Sequence, residues 1–260
     1  MRKIYLAAVL AGFLAPQAQA AELLVVSPGF VYNAGIQDLA ASFTKETGIK
    51  VTVKSVGMGA AITQAKTATP IPDLIVLPTE PYDLMGNFAK DDKGIIEGTW
   101  TPLGRVEIVL AVKAGVPHPD ISTVDKLAAV LKSSQAGIVR SNPGKDSTPG
   151  VGSMEALIID NLLKRPEFAG AKSVISTGGE GGQALIKGQG DMALQLVCEV
   201  YPYPAISSVG PLPPELYAHM DGAIAVSKRT TNEKDARAFI AYITRPEAAA
   251  VWKAKGLDRF

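Results

Sequence analysis

Cysteine, histidine and tryptophan are scarce in this 260-residue sequence, which contains one Cys, two His and two Trp residues. A single cysteine excludes an intramolecular disulfide, so burial of apolar side chains must stabilise the folded chain. We expect Cys198 to be a small buried core residue rather than a reactive thiol. The two tryptophans, Trp100 and Trp252, are expected to be packing residues.

Metal and nucleotide signatures are also absent. His118 and His219 belong to neither an HExxH motif nor a Cys-rich segment, so we expect no metal site. A Ser-His-Asp triad would have to use one of these two histidines, and we disfavour it. No GxxxxGK(S/T) loop occurs, and Gly57-x-Gly59 lacks a glycine three residues later, which disfavours nucleotides. We therefore expect no cofactor.

The sequence has no large excess of charge of either sign, because it contains 26 basic and 25 acidic residues. The sequence has no basic run of the kind that nucleic acid or an anionic lipid surface requires. After the first residues, no segment approaches the roughly 20 apolar residues of a membrane-spanning helix. We therefore expect a soluble monomer with no nucleic-acid partner.

The first twenty residues have the three parts of a secretory signal peptide. Arg2 and Lys3 give a positive start, residues 4–14 are apolar, and Ala18-Gln19-Ala20 has the small residues of a cleavage site. We expect cleavage after Ala20 and release of the mature chain into the periplasm. Removing Arg2 and Lys3 leaves 24 basic residues against 25 acidic ones, so the mature surface is expected to be nearly neutral.

Short strand-like runs alternate with helix-like segments, which predicts an α/β fold with mainly parallel sheets. The predicted strands are 23–26, 50–56, 73–77, 105–112, 136–140, 172–177, 192–197 and 222–226. Helical spacing of apolar residues predicts a helix from Ile36 to Phe43 that ends at Gly48. Thr148 as N-cap and Pro149 at the first position predict another. The last helices are predicted over 232–244 and 246–255.

Two segments rich in Pro and Gly, 101–104 and 209–214, are predicted to carry the chain between two lobes. Lobe one then comprises residues 21–104 and 215–260, and lobe two comprises residues 105–214. Ligands of open α/β sheets bind beyond the carboxyl ends of the strands, so a cleft between the lobes is the expected site.

Four loops rich in Gly and small polar residues follow predicted strands, at 27–29, 57–60, 147–150 and 177–182. Each leads toward a predicted helix start, whose free N–H groups carry about half a positive charge and bind anions. We predict that the four loops converge around a small anion. The binding residues expected from these loops are Ser27, Gly57, Gly59, Ser147, Thr148, Gly150, Gly181 and Gly182.

Two cationic side chains and two glycines are the residues that we expect to contribute most to anion binding. Arg140 and Lys145, at and after the end of a predicted strand, could add positive charge to the anion site. Gly150 and Gly181 are expected to lie closest to the ligand, because glycine permits close backbone approach. A valine at either position is expected to weaken binding while the fold survives.

Seven segments, in their order along the chain, resemble the periplasmic molybdate-binding family of exported substrate-binding proteins. They are 25–35, 57–64, 72–78, 105–115, 148–157, 188–197 and 245–256. The last, Arg-Pro-Glu-Ala-Ala-Ala-Val-Trp-Lys-Ala-Lys-Gly, is similar to a C-terminal helix signature of such proteins. The resemblance implies a two-lobed type II periplasmic-binding-protein fold, hinge closure, and delivery of the ligand to an ABC transporter in the membrane.

The ligand positions depart from the molybdate pattern. In the family, molybdate binders present hydroxyl groups from the first two loops and a Tyr from the second lobe. The positions that correspond here are Phe30, Met58 or Gly59, and Leu196 or Gln195. Three hydroxyl groups are therefore missing, and each unpaired polar contact costs roughly 1–3 kcal/mol.

These departures disfavour molybdate unless another hydroxyl group substitutes. The candidates are Ser27, Tyr32, Ser147 and Thr148. A larger anion with an apolar body suits the site better, because Phe30, Met58 and Leu196 could contact carbon while helix ends hold carboxylates. With Gln195 and Arg140, these residues complete the expected site.

The family also includes binders of short polycarboxylates such as aconitate, and aconitate isomerases share the fold. Interconversion of cis- and trans-aconitate is a proton shift that needs a base and positive groups, but no metal. The side chains that could act are Ser27, Tyr32, Lys145, Asp146, Glu180 and Glu199. We place a polycarboxylate-binding protein first, an aconitate isomerase second and a carrier of molybdate or a related oxyanion third.

Overall fold

The computed structural model describes residues 22–142, 153–177 and 181–260. The strands are β1 (Glu22–Ser27), β2 (Lys50–Ser55), β3 (Leu74–Glu80), β4 (Thr101–Lys113), β5 (Ile138–Arg140), β6 (Ser173–Ile175), β7 (Met192–Leu196), β8 (Ile206–Pro211) and β9 (His219–Val226). The helices are α1 (Gly29–Val31), α2 (Gln37–Thr47), α3 (Met58–Thr67), α4 (Leu84–Ala89), α5 (Val124–Ser133), α6 (Met154–Leu163), α7 (Gly181–Ile186), α8 (Glu233–Thr244) and α9 (Ala249–Ala254). In this part of the chain, no helix has the length and apolar character needed to cross a membrane.

One long strand, β4, belongs to both halves of the sheet. The strand order is β2-β1-β3-β9-β4-β7-β5-β6, and β8 pairs with β4 beside this path. The first part of β4, up to Glu107, pairs with β9. From Ile108 onward it pairs with β7, and from Val109 with β8. The chain therefore passes from one half to the other between Glu107 and Ile108, without leaving the strand.

The strand pairings are parallel at the outside and antiparallel in the middle. β1 is parallel to β2 and β3, and β5 is parallel to β6 and β7, as predicted. By contrast, β9 runs antiparallel to β3 and β4, and β4 runs antiparallel to β7 and β8. The α/β class is confirmed. The sheet is mixed, because β4 and β9 connect the two halves and run antiparallel to their neighbours.

Both segments that were predicted as crossings form strands for part of their length. Residues 101–104 begin β4, where Pro102 is tolerated because this part of β4 pairs with one strand only, β9. Residues 209–211 end β8, a strand that the sequence analysis missed. Its Ser207, Ser208 and Gly210 have low strand propensity, and tertiary pairing with β4 overrides it. The predicted lobe boundaries at 104 and 214 stay a prediction.

The helices follow the predicted apolar spacing. α2 buries Leu39, Ala40 and Phe43 and ends at Gly48, whose φ of 78° is the left-handed conformation that favours glycine. α8 and α9 confirm the two C-terminal helices. The N-cap of α6 is Ser153. Thr148, the N-cap that the sequence predicts, lies outside the described residues. The Ser153 Oγ accepts a hydrogen bond from the Ala156 N–H at 3.2 Å.

Apolar burial stabilises the fold, as a chain with one cysteine requires. Cys198 is buried, and its Sγ lies 3.5 Å from the Phe30 carbonyl oxygen, so its core role is confirmed. Trp252 is fully buried and its indole N–H donates to the Ile243 carbonyl at 2.7 Å. Trp100 is 38% exposed, so it packs less completely than Trp252, and its packing role stays a prediction.

Gly104 in β4 provides a test of this packing. Its φ is 148°, and a Cβ at this position would lie 2.2 Å from the Asp258 carbonyl oxygen. We expect Gly104→Ala to lower the free energy of unfolding by roughly 3 kcal/mol or more, because backbone must move. Gly98→Ala is the matched control: its φ is 72°, with nothing within 4 Å of the added carbon. Denaturant unfolding should show a loss of only about 1 kcal/mol there. Equal losses would contradict the packing argument.

Candidate functional site

A cavity of about 200 Å³ opens where β1 and β2 lead into helices. Its wall, in the part of the chain that the structure describes, consists of Pro28, Gly29, Phe30, Val56, Gly57, Met58, Ser153, Met154, Glu155, Leu196, Glu199 and Met220. These residues come from the loops after β1 and β2, the start of α6, the end of β7 and the turn after it, and β9. Both predicted lobes therefore contribute to one cavity.

Three helix starts meet at this cavity. The N-caps of α1 and α3 are Pro28 and Gly57, and neither makes a side-chain capping hydrogen bond. The third start is that of α6 at Ser153. Helix starts combine unpaired N–H groups with the positive end of the helix dipole. The cavity wall can therefore stabilise negative charge without a cationic side chain.

Gly181 and Gly182, the described end of the fourth predicted loop, lie one layer behind the wall. Gly181 and Gly182 are buried at the start of α7, and the Gly182 N–H donates to Gln195 Oε1 at 3.2 Å. The Gln195 side-chain amide in turn donates to Glu199 Oε2. Gly181, Gly182 and Gln195 do not line the cavity among the described residues, but they position Glu199, which does.

Two carboxylates, those of Glu155 and Glu199, lie on the wall and are 6% and 7% exposed. Glu155 accepts hydrogen bonds from the Leu196 N–H at 3.3 Å and from Ser141 Oγ at 3.2 Å. Glu199 Oε1 lies 3.6 Å from the position of a Cβ added to Gly29. The sequence analysis named Glu199 and missed Glu155, because an acidic residue in a helix's first turn ordinarily complements the helix dipole.

Neither of the two predicted hydroxyl residues that the structure describes, Ser27 and Tyr32, lines the cavity. Ser27 is fully buried, its Oγ donates to the Pro28 carbonyl at 3.1 Å, and it does not line the cavity. Tyr32 is half-buried and also lies outside the described wall. Ser153, the wall's hydroxyl residue among those described, caps α6. Gly59 lies one residue beyond the wall, in the first turn of α3.

Arg140 is not on the described wall either. Its Nη2 donates to Asp160 Oδ1 at 2.6 Å and its Nε donates to Ser173 Oγ at 2.9 Å. This buried ion pair fixes the end of β5 against α6. None of the described wall residues is Lys or Arg.

Several predicted site residues lie outside the described part of the chain. They are Lys145, Asp146, Ser147, Thr148, Gly150 and Glu180. The first five precede Ser153, which is the first wall residue after the gap in the described chain. Their roles stay predictions.

The two histidines lie away from the cavity. His118 Nε2 lies 3.0 Å from Ser207 Oγ on an exposed surface. His219 opens β9 and is buried, with its Nε2 3.6 Å from Glu80 Oε2. Its neighbour Met220 points to the cavity, so β9 separates His219 from the site.

A family model of bacterial extracellular solute-binding proteins matches residues 23–258. The chain belongs to this family. An aconitate isomerase from a Pseudomonas species is 25% identical over 248 residues, which cover 90% of this chain and 87% of the relative. The match extends over nearly the whole of this solute-binding protein.

Solved structures confirm the two-lobed type II fold. The substrate-binding domain assigned to a molybdenum ABC transporter of Clostridium difficile has a TM-score of 0.73 at 14% identity, covering 92% of this chain and 99% of that one. The periplasmic molybdate-binding protein of Azotobacter vinelandii has a TM-score of 0.65 at 19% identity, covering 90% of this chain and 98% of that one. At these identities the likeness concerns the fold alone.

The position of Gly181 changes what we expect of a side chain there: a loss of stability rather than a loss of ligand binding with an intact fold. A Cβ would lie 2.7 Å from Gln195 Oε1 and 3.3 Å from the Val139 carbonyl oxygen, which is protein interior rather than cavity. We expect Gly181→Ala to lower the melting temperature by about 4–8 °C, because Gln195 must give up its hydrogen bonds. Gly29→Ala is the control, since its Cβ would make only ordinary contacts at 3.6 and 3.7 Å. Calorimetric melting that ranks the two variants in the opposite order would contradict this.

Proposed function

We propose that this solute-binding protein binds a short polycarboxylate, such as aconitate, in the cavity beside Gly29 and Gly57. The observation that carries the proposal is the combination of apolar side chains with uncapped helix starts on one wall. Helix starts stabilise carboxylate groups. Apolar side chains favour a ligand that has a carbon body between those groups.

The composition of the wall supports a carbon-containing anion over a bare oxyanion. Phe30, Met58, Leu196 and Met220 line the cavity. A tetrahedral oxyanion would place oxygens against these side chains, and each unpaired polar contact costs roughly 1–3 kcal/mol. Of the described hydroxyl groups nearby, those of Ser27 and Ser141 already donate to a backbone carbonyl and a carboxylate. The Ser153 hydroxyl, which accepts from the Ala156 N–H, keeps one proton to donate, and one donor cannot pair all the oxygens of a tetrahedral oxyanion. Molybdate is therefore the third candidate, as it was from the sequence.

The cellular setting that we propose follows the family. Bacterial extracellular solute-binding proteins act outside the cytoplasm, which agrees with an export signal in residues 1–20 and a periplasmic mature chain. An ABC transporter in the membrane is the proposed recipient of the ligand, and the working unit is proposed to be a monomer. The aconitate isomerase relative supports a tricarboxylate as the ligand class.

Calorimetric titration of the purified chain tests the ligand class. We expect tricarballylate and cis-aconitate to bind at least about tenfold more tightly than molybdate or sulfate, because only the carboxylates bring an apolar body. Gly29→Val, which fills the cavity beside Glu199, should weaken binding while thermal melting shows an intact fold. Tighter binding of molybdate would overturn the proposal.

A second function, isomerisation of aconitate, is favoured by the two buried carboxylates. In a pure carrier, Glu155 and Glu199 on the wall would weaken the binding of an anion, because like charges repel. A proton-shift enzyme needs such a group. A carboxylate would take a proton from the ligand's methylene carbon, the double bond would move by one carbon, and a carboxyl group would return a proton to the far carbon.

Glu199 is the proposed base, because Gln195 holds it while its Oε1 lies nearest to Gly29. Lys145, outside the described residues, is the candidate for stabilising the extended anion of the intermediate. In this reading, Glu155 positions the end of β7 through its bond to the Leu196 N–H. Ser27 and Asp146 remain weaker candidates.

Proton NMR of cis-aconitate incubated with the protein decides between carrier and enzyme. If the chain is an isomerase, trans-aconitate accumulates, and Glu199→Gln lowers the rate by about 100-fold or more while ligand binding persists. Glu247→Gln, at a side chain that is 73% exposed, is the matched control and should retain the full rate. Tight binding without turnover by the wild-type chain would remove the enzyme and keep the carrier.

A further inference from the structure

The face of β9 that points away from the cavity carries a separate group of polar residues. Strand side chains alternate, so His219 and Asp221 share one face while Met220 points to the cavity. The side chains of His219 and Asp221 are 8% and 7% exposed. Two polar side chains are thus buried behind the binding cavity, outside the site described above.

Strand register adds a carboxylate to this group. Glu80 of β3 is paired with Asp221 of β9. One ligand atom from each of Glu80, His219 and Asp221 lies within 4.8 Å of the other two. Residues from two strands, far apart in sequence, therefore converge at one point.

The imidazole of His219 makes no hydrogen bond with any residue in the described ranges. Its nearest ionic partner is Glu80 Oε2, at 3.6 Å from Nε2, which is too long for a hydrogen bond. Because His219 also lines a cavity on this side of the sheet, its ring nitrogens remain available to a ligand that enters from solvent.

We propose that His219, Glu80 and Asp221 bind a divalent transition-metal ion of the zinc class. One imidazole nitrogen and two carboxylate oxygens are a donor set typical of such ions, with a further position for water. Glu80 is 62% exposed and gives the ion access from solvent. A cavity of about 560 Å³ also reaches His219 on this side.

Arg105 supports the site rather than blocking it. Its Nε and Nη2 donate to Asp221 Oδ1 and Oδ2 at 2.7 and 2.8 Å. Each carboxylate oxygen has a second lone pair that remains for a metal ion. Hydrogen bonds of this kind orient metal-binding carboxylates. Glu107, paired with His219 in the strand register, adds negative charge nearby when ionised, although burial raises its pKa.

Titration with zinc chloride tests this proposal. The full mature chain, free of any affinity tag and treated with a chelator, should bind one equivalent of Zn²⁺ by calorimetry and melt at a higher temperature with zinc. His219→Ala and Glu80→Gln should each weaken zinc binding by about tenfold or more. His118→Ala, at the exposed histidine, is the matched control and should bind as the wild type does.

The outcomes separate this proposal from the proposed function. Unchanged zinc affinity in Glu80→Gln and His219→Ala, or the absence of zinc binding by the wild type, overturns the metal site. Glu80 is exposed, so its variant keeps the test valid even where His219→Ala fails to fold. Polycarboxylate titration of the same samples reports on the other face of β9, so either proposal can fail alone.

Discussion

The candidate site depends on one constraint: backbone N–H groups at helix starts need partners, and three helix starts face the same cavity. The N-cap residues of α1 and α3 make no side-chain capping hydrogen bond to these N–H groups. This arrangement concentrates positive potential without a lysine or arginine on the described wall. A nearly neutral chain could bind the proposed anion in this way, because the positive potential comes from oriented peptide groups and not from composition.

The two buried carboxylates on the wall add negative charge where the helix starts create positive potential. Hydrogen bonds fix both side chains on the wall. Glu155 accepts from the Leu196 N–H and Ser141 Oγ, and Glu199 accepts from the Gln195 side-chain amide. A carboxylate beside a bound anion weakens the binding of that anion by electrostatic repulsion. Carboxylates in such positions are typical of sites where they transfer a proton. The same wall therefore supports both a carrier and an enzyme, which differ only in whether a proton moves.

Strands β4 and β9 connect the two sides of this architecture. β4 pairs with β9 in its first half and with β7 and β8 in its second, so the halves share a continuous strand. Because side chains alternate along β9, Met220 contributes to the cavity while His219 and Asp221 lie behind it. A single strand thus separates the proposed anion site from the proposed metal site, so a substitution on one face of β9 can test one proposal without the other.

The sequence by itself determined the local elements. The spacing from Ile36 to Phe43 predicted α2, Gly48 predicted its end, and the order of strands and helices predicted the α/β class. Those signals are periodicities and turn preferences between near neighbours, which any window of the chain contains. The two-lobed fold was predicted from the resemblance of seven segments to a known family. Only the tertiary structure decided that β4 spans both halves, that Gly181 faces Gln195, and that Glu155 reaches the cavity. These are contacts between residues far apart in sequence, and they depend on which strands pair and which helix starts meet. No local pattern carries that information.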